Sequence, residues 1–466
     1  MKRRKFLRNT GIVLAGTTIA GYAGIQRLAS KIDEPIDASM IPNGSKVWSN
    51  WSGNQSCTPK EFFIPKSELE LAEKLRSSTE KMRIVGAGHS FSPVVPSNEI
   101  LSSLKELNGI VSYDIEKSQV VVKAGTHLYQ LTPQLHELGL AFSNLGDIDR
   151  QTVGGAVSTS THGTGSTLRS ISSAVIGFKM VTAEGAIVEC SADNNAELFY
   201  GGTVALGALG IVTEYTLQLE PTYKLKEVVY GASLKETMLN FSKLTEENRN
   251  FEFFPFLYSD SCVHKLMNVT NEAEKNLKHG FFNDDFWVSS AHVLSGQKVK
   301  NIKRVQDLGR KVYTEEERVG YSHQIYSSPR NIRFNEIEYQ LPIEKGLACL
   351  DELRYVGQKG DFPITYPIEV RTVEGDDFWM SPFYKRKSIS ISIHQIVDRE
   401  FLPYFKAFDK VFCKYEGRPH WGKLTYQNKE YVSQMYSKYD DFVALKQKFD
   451  PTSRFSNDYL VKLFGS

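Results

Sequence analysis

The chain has 466 residues, of which 41% are hydrophobic and 24% are charged, and it carries 56 basic and 54 acidic residues. These proportions are typical of a globular protein of about two or three domains, and they exclude a disordered chain, a collagen and a polytopic membrane protein. Five basic residues and no acid lie in residues 1–23. The rest of the chain has 51 basic and 54 acidic residues, so we expect no nucleic acid partner.

The N-terminus has the layout of a signal peptide. A basic head is followed by an apolar run, over about residues 11–23, that is too short to span a bilayer comfortably. The pair Arg3-Arg4 before Phe6-Leu7 resembles a twin-arginine signal, whose translocase exports folded proteins. We therefore expect residues 1–32 to be a signal and the protein to be exported to the periplasm. The alternative is an uncleaved N-terminus that associates the protein with the membrane.

The body of the chain begins with strands and short helices separated by glycine-containing turns, over about residues 48–220. Ser67 predicts a capped helix over residues 67–77, and a second helix, Leu128–Glu137, is expected to stop at Gly139. The predicted strands are Met82–Val85 and residues 119–124, 174–182 and 211–219.

The amino-acid composition changes between about residues 222 and 423. Glycine becomes sparser, aromatic side chains become denser, as in residues 251–256, and charged helices such as Val299–Val312 are predicted. This change predicts a second domain, and the fold class of the whole chain is α+β.

The cysteines give no metal or redox motif, because no two of them lie within four residues of each other. Their spacing predicts five separate thiols and no metal site. They are Cys57, Cys190, Cys262, Cys349 and Cys413.

The first glycine motif follows the strand Met82–Val85. Its turn, Gly86-Ala87-Gly88, exposes consecutive backbone amides, which suit phosphate oxygens because no side chain blocks their approach. A third glycine that would open a helix is missing, so the motif is not a Rossmann fingerprint. A plain tight turn is the alternative.

Two further glycine-rich segments follow in the same half of the chain. Residues 152–165 contain four glycines, many hydroxyl side chains and almost no charge. The backbone can therefore approach a flat ligand while hydroxyls and amides bind its polar edge. A small-residue turn from Gly201 to Gly210 leads into the strand that begins at Ile211.

Pairs of polar residues two positions apart mark the second half. Glu369 and Arg371 would share one face of a strand, although by spacing alone a surface ion pair is the favoured alternative. Ser390, Ser392 and His394 alternate in the same way, which predicts a strand with a polar edge facing a pocket.

Taken in order, the three glycine segments resemble the flavin-binding half of the vanillyl-alcohol-oxidase-type flavoproteins. The resemblance continues through residues 366–373, 376–382, His394, 419–423 and 455–460, and this set is similar to the sugar-lactone oxidase and alditol oxidase family. It covers nearly all of residues 45–466. The Glu-x-Arg and His-Trp-Gly-Lys motifs together make it specific.

This resemblance implies a two-domain α+β fold of the VAO/PCMH type. Residues 45–221 would form the FAD-binding domain, and residues 222–424 a substrate domain with an antiparallel sheet, of the aldonolactone-oxidase type. Residues 425–466 would return to the FAD-binding domain.

The resemblance also implies FAD as the cofactor, bonded covalently through His89 to the flavin 8α-methyl. A buried, hydrogen-bonded histidine is the alternative for His89. The other residues implied at the cofactor are Val85, Gly86, Ala87, Gly88, Ser90, Phe91, Thr152, Gly154, Gly155, Ser158, Thr161, His162, Gly163, Thr164, Gly210, Ile211, Val212 and His420.

The implied catalytic residues are Glu369, Arg371, Lys423 and His394. Glu369 would hold or polarise the reacting hydroxyl, and Arg371 would stabilise negative charge that develops on reduction of the flavin. The hydroxyl proton would leave with help from Lys423 or Glu369, and His394 would face the pocket.

The implied activity is an oxidase or dehydrogenase of the D-arabinono-1,4-lactone oxidase or alditol oxidase kind. Hydride would pass from a CH–OH carbon of a sugar lactone or polyol to flavin N5, and the electrons would pass to O2 or another carrier. Ile396 stands where alditol oxidases carry a threonine, which removes one hydroxyl contact to a polyol. The alternatives are an oxidase of a lipid-linked cell-wall sugar and a noncatalytic protein that binds flavin or sugar.

Overall fold

The computed structural model describes residues 47–277, 284–296, 298–312, 315–328, 330 and 332–465. The predicted signal, residues 1–32, lies outside these residues. Among the helices that are described, none combines the length and the apolar character needed to cross a membrane.

The described residues form short and long strands and mostly short helices. The strands are β1 (Trp48–Ser49), β2 (Ser56–Cys57), β3 (Glu61–Phe63), β4 (Met82–Val85), β5 (Ile100–Ser103), β6 (Ile110–Asp114), β7 (Gln119–Lys123), β8 (Leu140–Ala141), β9 (Val175–Val181), β10 (Ile187–Ser191), β11 (Ile211–Gln218), β12 (Glu220–Pro221), β13 (Lys224–Ser233), β14 (Asn250–Pro255), β15 (Ser261–Thr270), β16 (Glu316–Tyr321), β17 (Phe334–Pro342), β18 (Glu369–Val373), β19 (Ser388–Ile396) and β20 (Arg418–Pro419). The α-helices are α1 (Glu68–Ser77), α2 (Leu128–Glu137), α3 (Val153–Ser158), α4 (Ala196–Gly202), α5 (Leu234–Leu239), α6 (Phe241–Glu247), α7 (Asp284–Ser295), α8 (Val299–Val312), α9 (Ser322–Tyr326), α10 (Gly346–Lys359), α11 (Leu402–Lys414), α12 (Lys429–Met435), α13 (Tyr439–Phe449) and α14 (Asp458–Phe464).

The N-terminal half contains a three-stranded parallel sheet, in the order β3-β5-β4, and a five-stranded antiparallel sheet, in the order β10-β9-β11-β7-β6. Local signals set the bounds of its elements. Ser67 caps α1 by accepting a hydrogen bond from the Glu70 amide at 3.1 Å, and Gly139, just after α2, has a φ of 76°. Both predicted helices are confirmed, and the four predicted strands agree to within one residue at each end.

A buried arginine joins this half to the C-terminal segment. The Arg83 guanidinium donates to the carbonyls of Val94 at 2.8 Å, Leu206 at 2.7 Å and Phe455 at 2.5 Å. Its burial lowers the pKa of Arg83 to about 10. One side chain thus ties β4 to the third glycine segment and to the last turn before α14.

The second half is built on an eight-stranded antiparallel sheet, in the order β16-β13-β15-β14-β18-β19-β17-β20. Successive side chains on a strand point to opposite faces. Ile389, Ile391 and Ile393 of β19 are buried in an apolar cluster that includes Leu350 of α10 and Phe408 of α11. The intervening serines and His394 lie on the opposite, polar face of the sheet, as the alternation predicts.

Two large clusters of buried apolar side chains form the core. The first joins the sheets of the N-terminal half and includes Trp421, Phe442 and Leu460 from the end of the chain. The second lies between the eight-stranded sheet and helices α10 and α11. All five cysteines are free thiols, as their spacing predicts.

Candidate active site

A cavity of about 470 Å³ lies between the glycine segments and the polar face of the eight-stranded sheet. Its wall includes most of the predicted cofactor residues. They are Val85, Gly86, Ala87, Gly88, His89, Ser90, Phe91, Thr152, Gly154, Gly155, Ser158, Thr161, His162, Gly210, Ile211, Val212 and His420. All four predicted catalytic residues line the same cavity, namely Glu369, Arg371, His394 and Lys423.

The first loop is shaped by its glycines. A Cβ on Gly86 would come within 2.5 Å of Thr152 Oγ1, so only glycine lets the first and second segments approach this closely. Gly88 has a φ of 65°, which favours glycine, and its carbonyl accepts a hydrogen bond from the Trp51 amide at 2.8 Å. The next residue, His89, stacks on the Trp51 ring with centroids 5.3 Å apart. This contact fixes the His89 imidazole at the cavity wall.

Two predicted cofactor residues of the second segment do not line the cavity. A Cβ on Gly163 would lie 2.2 Å from the Leu145 carbonyl oxygen, so Gly163 is packed against backbone. Thr164 donates through Oγ1 to the Phe251 carbonyl at 2.6 Å and accepts a hydrogen bond from the Thr372 amide at 3.2 Å. Thr164 thus holds the loop against β14 and β18, and Gly163 holds it against the loop around Leu145.

The predicted pair Glu369 and Arg371 faces the cavity from β18. Arg371 donates through Nε to Glu252 at 2.7 Å and through Nη2 to Asp147 at 2.6 Å. Arg371 Nη2 also forms an ion pair with Glu369. Three carboxylates therefore hold the guanidinium, and the surface ion pair suggested by spacing alone is wrong, because only 12% of the Arg371 side chain is exposed.

Glu369 has an unusual protonation equilibrium. Burial raises its pKa to about 7; the Arg371 charge opposes this shift, whereas the carboxylates of Asp147 and Glu252 add to it. A buried carboxyl group that titrates near neutrality can accept a proton in one step and release it in another. Glu369 is therefore suited to act as a general base.

His394 and Lys423 reach the same place from other elements. His394 Nε2 lies 3.7 Å from Glu369 Oε2 and 3.4 Å from Glu336 Oε1. Lys423 forms an ion pair with Glu336 and lies 5.1 Å from the centroid of the Phe91 ring. Burial alone would raise the pKa of Glu336, but the charges of Lys423 and His394 hold it well below its usual range. Lys423 is thus a cation already matched by an ionised partner.

A second buried carboxylate connects the cofactor loop to the sheet. Glu338 Oε1 lies 2.6 Å from His162 Nε2 and accepts a hydrogen bond from Ser390 Oγ at 2.7 Å. The other nitrogen of His162 lies 2.8 Å from the Gly163 carbonyl oxygen. Burial lowers the pKa of His420, whose ring lies 5.7 Å from that of His162, to about 4. His420 is therefore neutral at pH 7.

Several charged residues of this wall are not among those predicted from the sequence. Glu336 and Glu338 are two residues apart on β17 and both line the cavity. This is the spacing of Glu369 and Arg371, so the same alternation pattern in the sequence could have identified them. Asp147 lies in a loop with no local signal, and only the fold brings it to Arg371.

Matches to family models fall in both halves of the chain. A model of an FAD binding domain matches residues 59–191, and a model of D-arabinono-1,4-lactone oxidase matches residues 215–463. The cholesterol oxidase of B. sterolicum has a similar fold, with a TM-score of 0.73 and 16% identity over 93% of this chain and 99% of that one.

Relatives of similar length share about 30% of their residues with the chain. L-gulono-1,4-lactone dehydrogenase of Mycobacterium tuberculosis is 31% identical over 90% of this chain and 100% of its own length. L-gulonolactone oxidase of Bos taurus is 31% identical over 90% and 98%, respectively. Alditol oxidase of a Streptomyces species is 27% identical over 90% and 99%.

The residues of the cavity fit FAD, since glycines of all three glycine segments line its wall, where no side chain keeps a flat ligand away from the backbone. The fold and the site define an FAD-dependent oxidoreductase that acts on a CH–OH group, with the expected VAO-type architecture. A noncatalytic binding protein is not favoured. The chain belongs to the D-arabinono-1,4-lactone oxidase family.

Proposed function

We propose that the protein oxidises a hydroxyl-bearing carbon of a sugar lactone, with a polyol as the second candidate substrate, and passes the electrons to O2 or another carrier. FAD, when bound, accepts the hydride. The observation that carries the proposal is the Glu369 carboxyl group, buried on the cavity wall beside Arg371 and His394 with a pKa of about 7.

Glu369 takes the proton of the reacting hydroxyl. It is preferred over Lys423, because Lys423 is an ammonium group paired with ionised Glu336 and has no free lone pair to accept a proton. Arg371 supplies positive charge to the wall, held in place by Glu252 and Asp147, and so stabilises negative charge that develops during hydride loss.

The surroundings of Ile396 support a lactone ring over an open-chain polyol. Ile396 is buried in an apolar cluster with Val288, Ile332 and Tyr366, and two of these, Val288 and Tyr366, line the cavity. The Ile396 side chain itself supplies no hydroxyl to a polyol here. An anaerobic screen of the purified protein with 1,4-lactones, aldoses and alditols, followed by flavin bleaching, tests the choice. Bleaching by alditols but not by lactones would contradict it.

The proposal includes a covalent bond between a His89 ring nitrogen and the 8α-carbon of FAD. The imidazole N–H and one C–H of the 8α-methyl would be broken, and the two electrons would leave to the same acceptor that serves turnover. Its support is the position of the His89 imidazole on the cavity wall, stacked on Trp51 directly after the glycine turn, since a fixed nucleophile has a high effective concentration. Acid-precipitated wild-type protein is expected to keep yellow, fluorescent flavin on the polypeptide, and His89→Ala to release all of it.

A matched control for this test is His127→Ala, which removes another histidine of the cavity wall. This variant is expected to keep its flavin after denaturation. Release of the flavin by fully loaded wild-type protein would show that the bond does not exist.

The proposal also includes export through the twin-arginine translocase, supported by Arg3 and Arg4 before the apolar run. Replacing both arginines by lysine is expected to leave FAD-loaded protein in the cytoplasm, as fractionation followed by immunoblotting would measure. Arg8→Lys, which changes a basic residue outside the pair, is the control and should be exported. Normal export of the double variant would contradict this assignment.

A further inference from the structure

The cavity does not end at Arg371 but continues along the polar face of the sheet to the edge strand β16. Charged side chains of five strands and one loop follow one another there. We call them the ion-pair ladder: Arg318, Glu227, Lys265, Glu252, Asp147 and Arg371.

Each step of the ion-pair ladder joins opposite charges. Arg318 pairs with Glu227 through two contacts, of 2.7 Å and 3.1 Å. Lys265 lies 4.0 Å from Glu227 and 2.8 Å from Glu252. Lys265 also lies 3.1 Å from Asp147, which accepts a hydrogen bond from Arg371. The side chains are between 1% and 15% exposed, so the charges are largely removed from solvent.

The charges of the ion-pair ladder, Arg330 and Glu369 are balanced. Arg330 also pairs with Asp147, at 3.4 Å, so four cations face the three carboxylates of the ion-pair ladder and Glu369. A charged ligand would have to break one of these pairs and leave a buried charge without its partner, which is strongly unfavourable. Hydroxyl groups can donate to a carboxylate and accept from a guanidinium or ammonium without breaking any pair.

Apolar side chains complete this part of the cavity. Val229, Phe254, Val263 and Val288 line it beside the ion-pair ladder. A wall that combines apolar surface with a few fixed polar groups suits a ligand with both C–H and O–H surface. This composition also disfavours a lipid tail, because the opposite charges of the ion-pair ladder lie on the same wall.

We propose that the stretch between Arg371 and Arg318 is a second subsite, which binds an uncharged, hydroxyl-bearing extension of the substrate: a further sugar ring joined to the lactone or polyol that is oxidised. The proposal rests on the proposed function, since the reacting carbon must lie at Glu369 for the extension to reach the ion-pair ladder.

The test compares matched substrates on the FAD-loaded full chain. Maltitol, which is sorbitol carrying a glucosyl group, is compared with sorbitol, and lactobionic lactone with gluconic lactone. The glycosylated compound of at least one pair is expected to have a kcat/KM at least about tenfold higher than its parent. Sorbitol 6-phosphate provides the charged alternative and should show no such gain.

A variant tests whether the increase in kcat/KM depends on this part of the cavity. Val229→Phe fills the subsite and leaves every residue of the ion-pair ladder in the sequence, and Val228→Phe is the control because its side chain points to the opposite face of β13. Val229→Phe should lower kcat/KM at least about tenfold more for the glycosylated compound than for its parent, whereas Val228→Phe should keep the wild-type ratio. Dissociation constants of product-like inhibitors with and without the second ring, measured by flavin absorbance, should change in the same ratio.

The outcomes separate the two proposals. Equal kcat/KM for parent and glycosylated compounds in the wild-type protein, or a preference for the phosphate, would overturn the second subsite and leave the proposed function standing. Equal effects of Val229→Phe and Val228→Phe would also overturn it. Failure of every lactone and polyol to reduce the flavin would instead overturn the proposed function.

Discussion

Replacing Arg371 with alanine is expected to slow the reduction of bound flavin by substrate at least ~100-fold, as for loss of a preorganised group that stabilises developing charge. The side chain lies on the cavity wall, and its charge is fixed by Asp147, Glu252 and Glu369. Anaerobic stopped-flow measurement of flavin bleaching gives the rate. FAD content should change little, because Arg371 lies on the sheet and not on the glycine segments.

The removal of Arg371 also leaves three buried carboxylates without their shared cation. Breaking a buried ion pair in this way costs about 3–5 kcal/mol of stability. The thermal unfolding midpoint and the flavin-to-protein ratio must therefore be measured beside the rate. Arg371→Lys keeps the charge but not the planar guanidinium, and it should recover part of the rate. A folded, FAD-loaded alanine variant that is reduced at the wild-type rate would remove Arg371 from the mechanism.

Glu369→Gln is expected to slow flavin reduction by about 10²–10⁴-fold, the usual contribution of a general base. In the wild-type protein the rate should rise with pH through an apparent pKa near 7, since only the ionised carboxylate of Glu369 can accept the hydroxyl proton. This limb of the pH profile should be absent from the glutamine variant. A wild-type rate that does not change between about pH 5 and pH 9 would assign the proton to another group.

The same pKa has a consequence for folding stability. Glu369 titrates near 7 in the folded protein and near 4.5 in its ordinary state, so the folded protein binds the extra proton between these values. Its contribution to stability is complete below about pH 4.5 and is lost as the pH rises through 7. Glu369→Gln should therefore be more stable relative to wild type at pH 8 than at pH 5.

Asp376 provides a control that separates stability from catalysis. Burial raises the pKa of Asp376 to about 7 although Ser381 Oγ and the Phe378 amide donate to it, and Asp376 does not line the cavity. Like Glu369→Gln, Asp376→Asn should be more stable relative to wild type at pH 8 than at pH 5. Its pH profile of flavin reduction should nevertheless be that of the wild-type protein. If the rise of the rate with pH were lost in Asp376→Asn, that rise could not be assigned to the ionisation of Glu369.

The sequence by itself determined the elements whose cause is local. The helix Leu128–Glu137 ends before Gly139, which has a positive φ. Ser67 caps the helix Glu68–Ser77. The alternation along β19 placed His394 on the polar face, and the spacing of Glu369 and Arg371 placed both on one side of β18. These features depend on residues within a turn or a strand of each other, so the pattern is enough to read them.

Only the tertiary structure decided how the charged groups meet. Asp147 and Arg371 are 224 residues apart, and they bond because a loop of the N-terminal half lies against the polar face of the eight-stranded sheet. Glu252 and Lys265 become neighbours through the register of β14 with β15. Lys423 meets Glu336 because the loop that carries Lys423 lies against β17. The raised pKa of Glu369 is the sum of such contacts and of burial. Electrostatic surroundings of this kind depend on strand register and on contacts between segments that are distant in the sequence. No local sequence pattern predicts either of them.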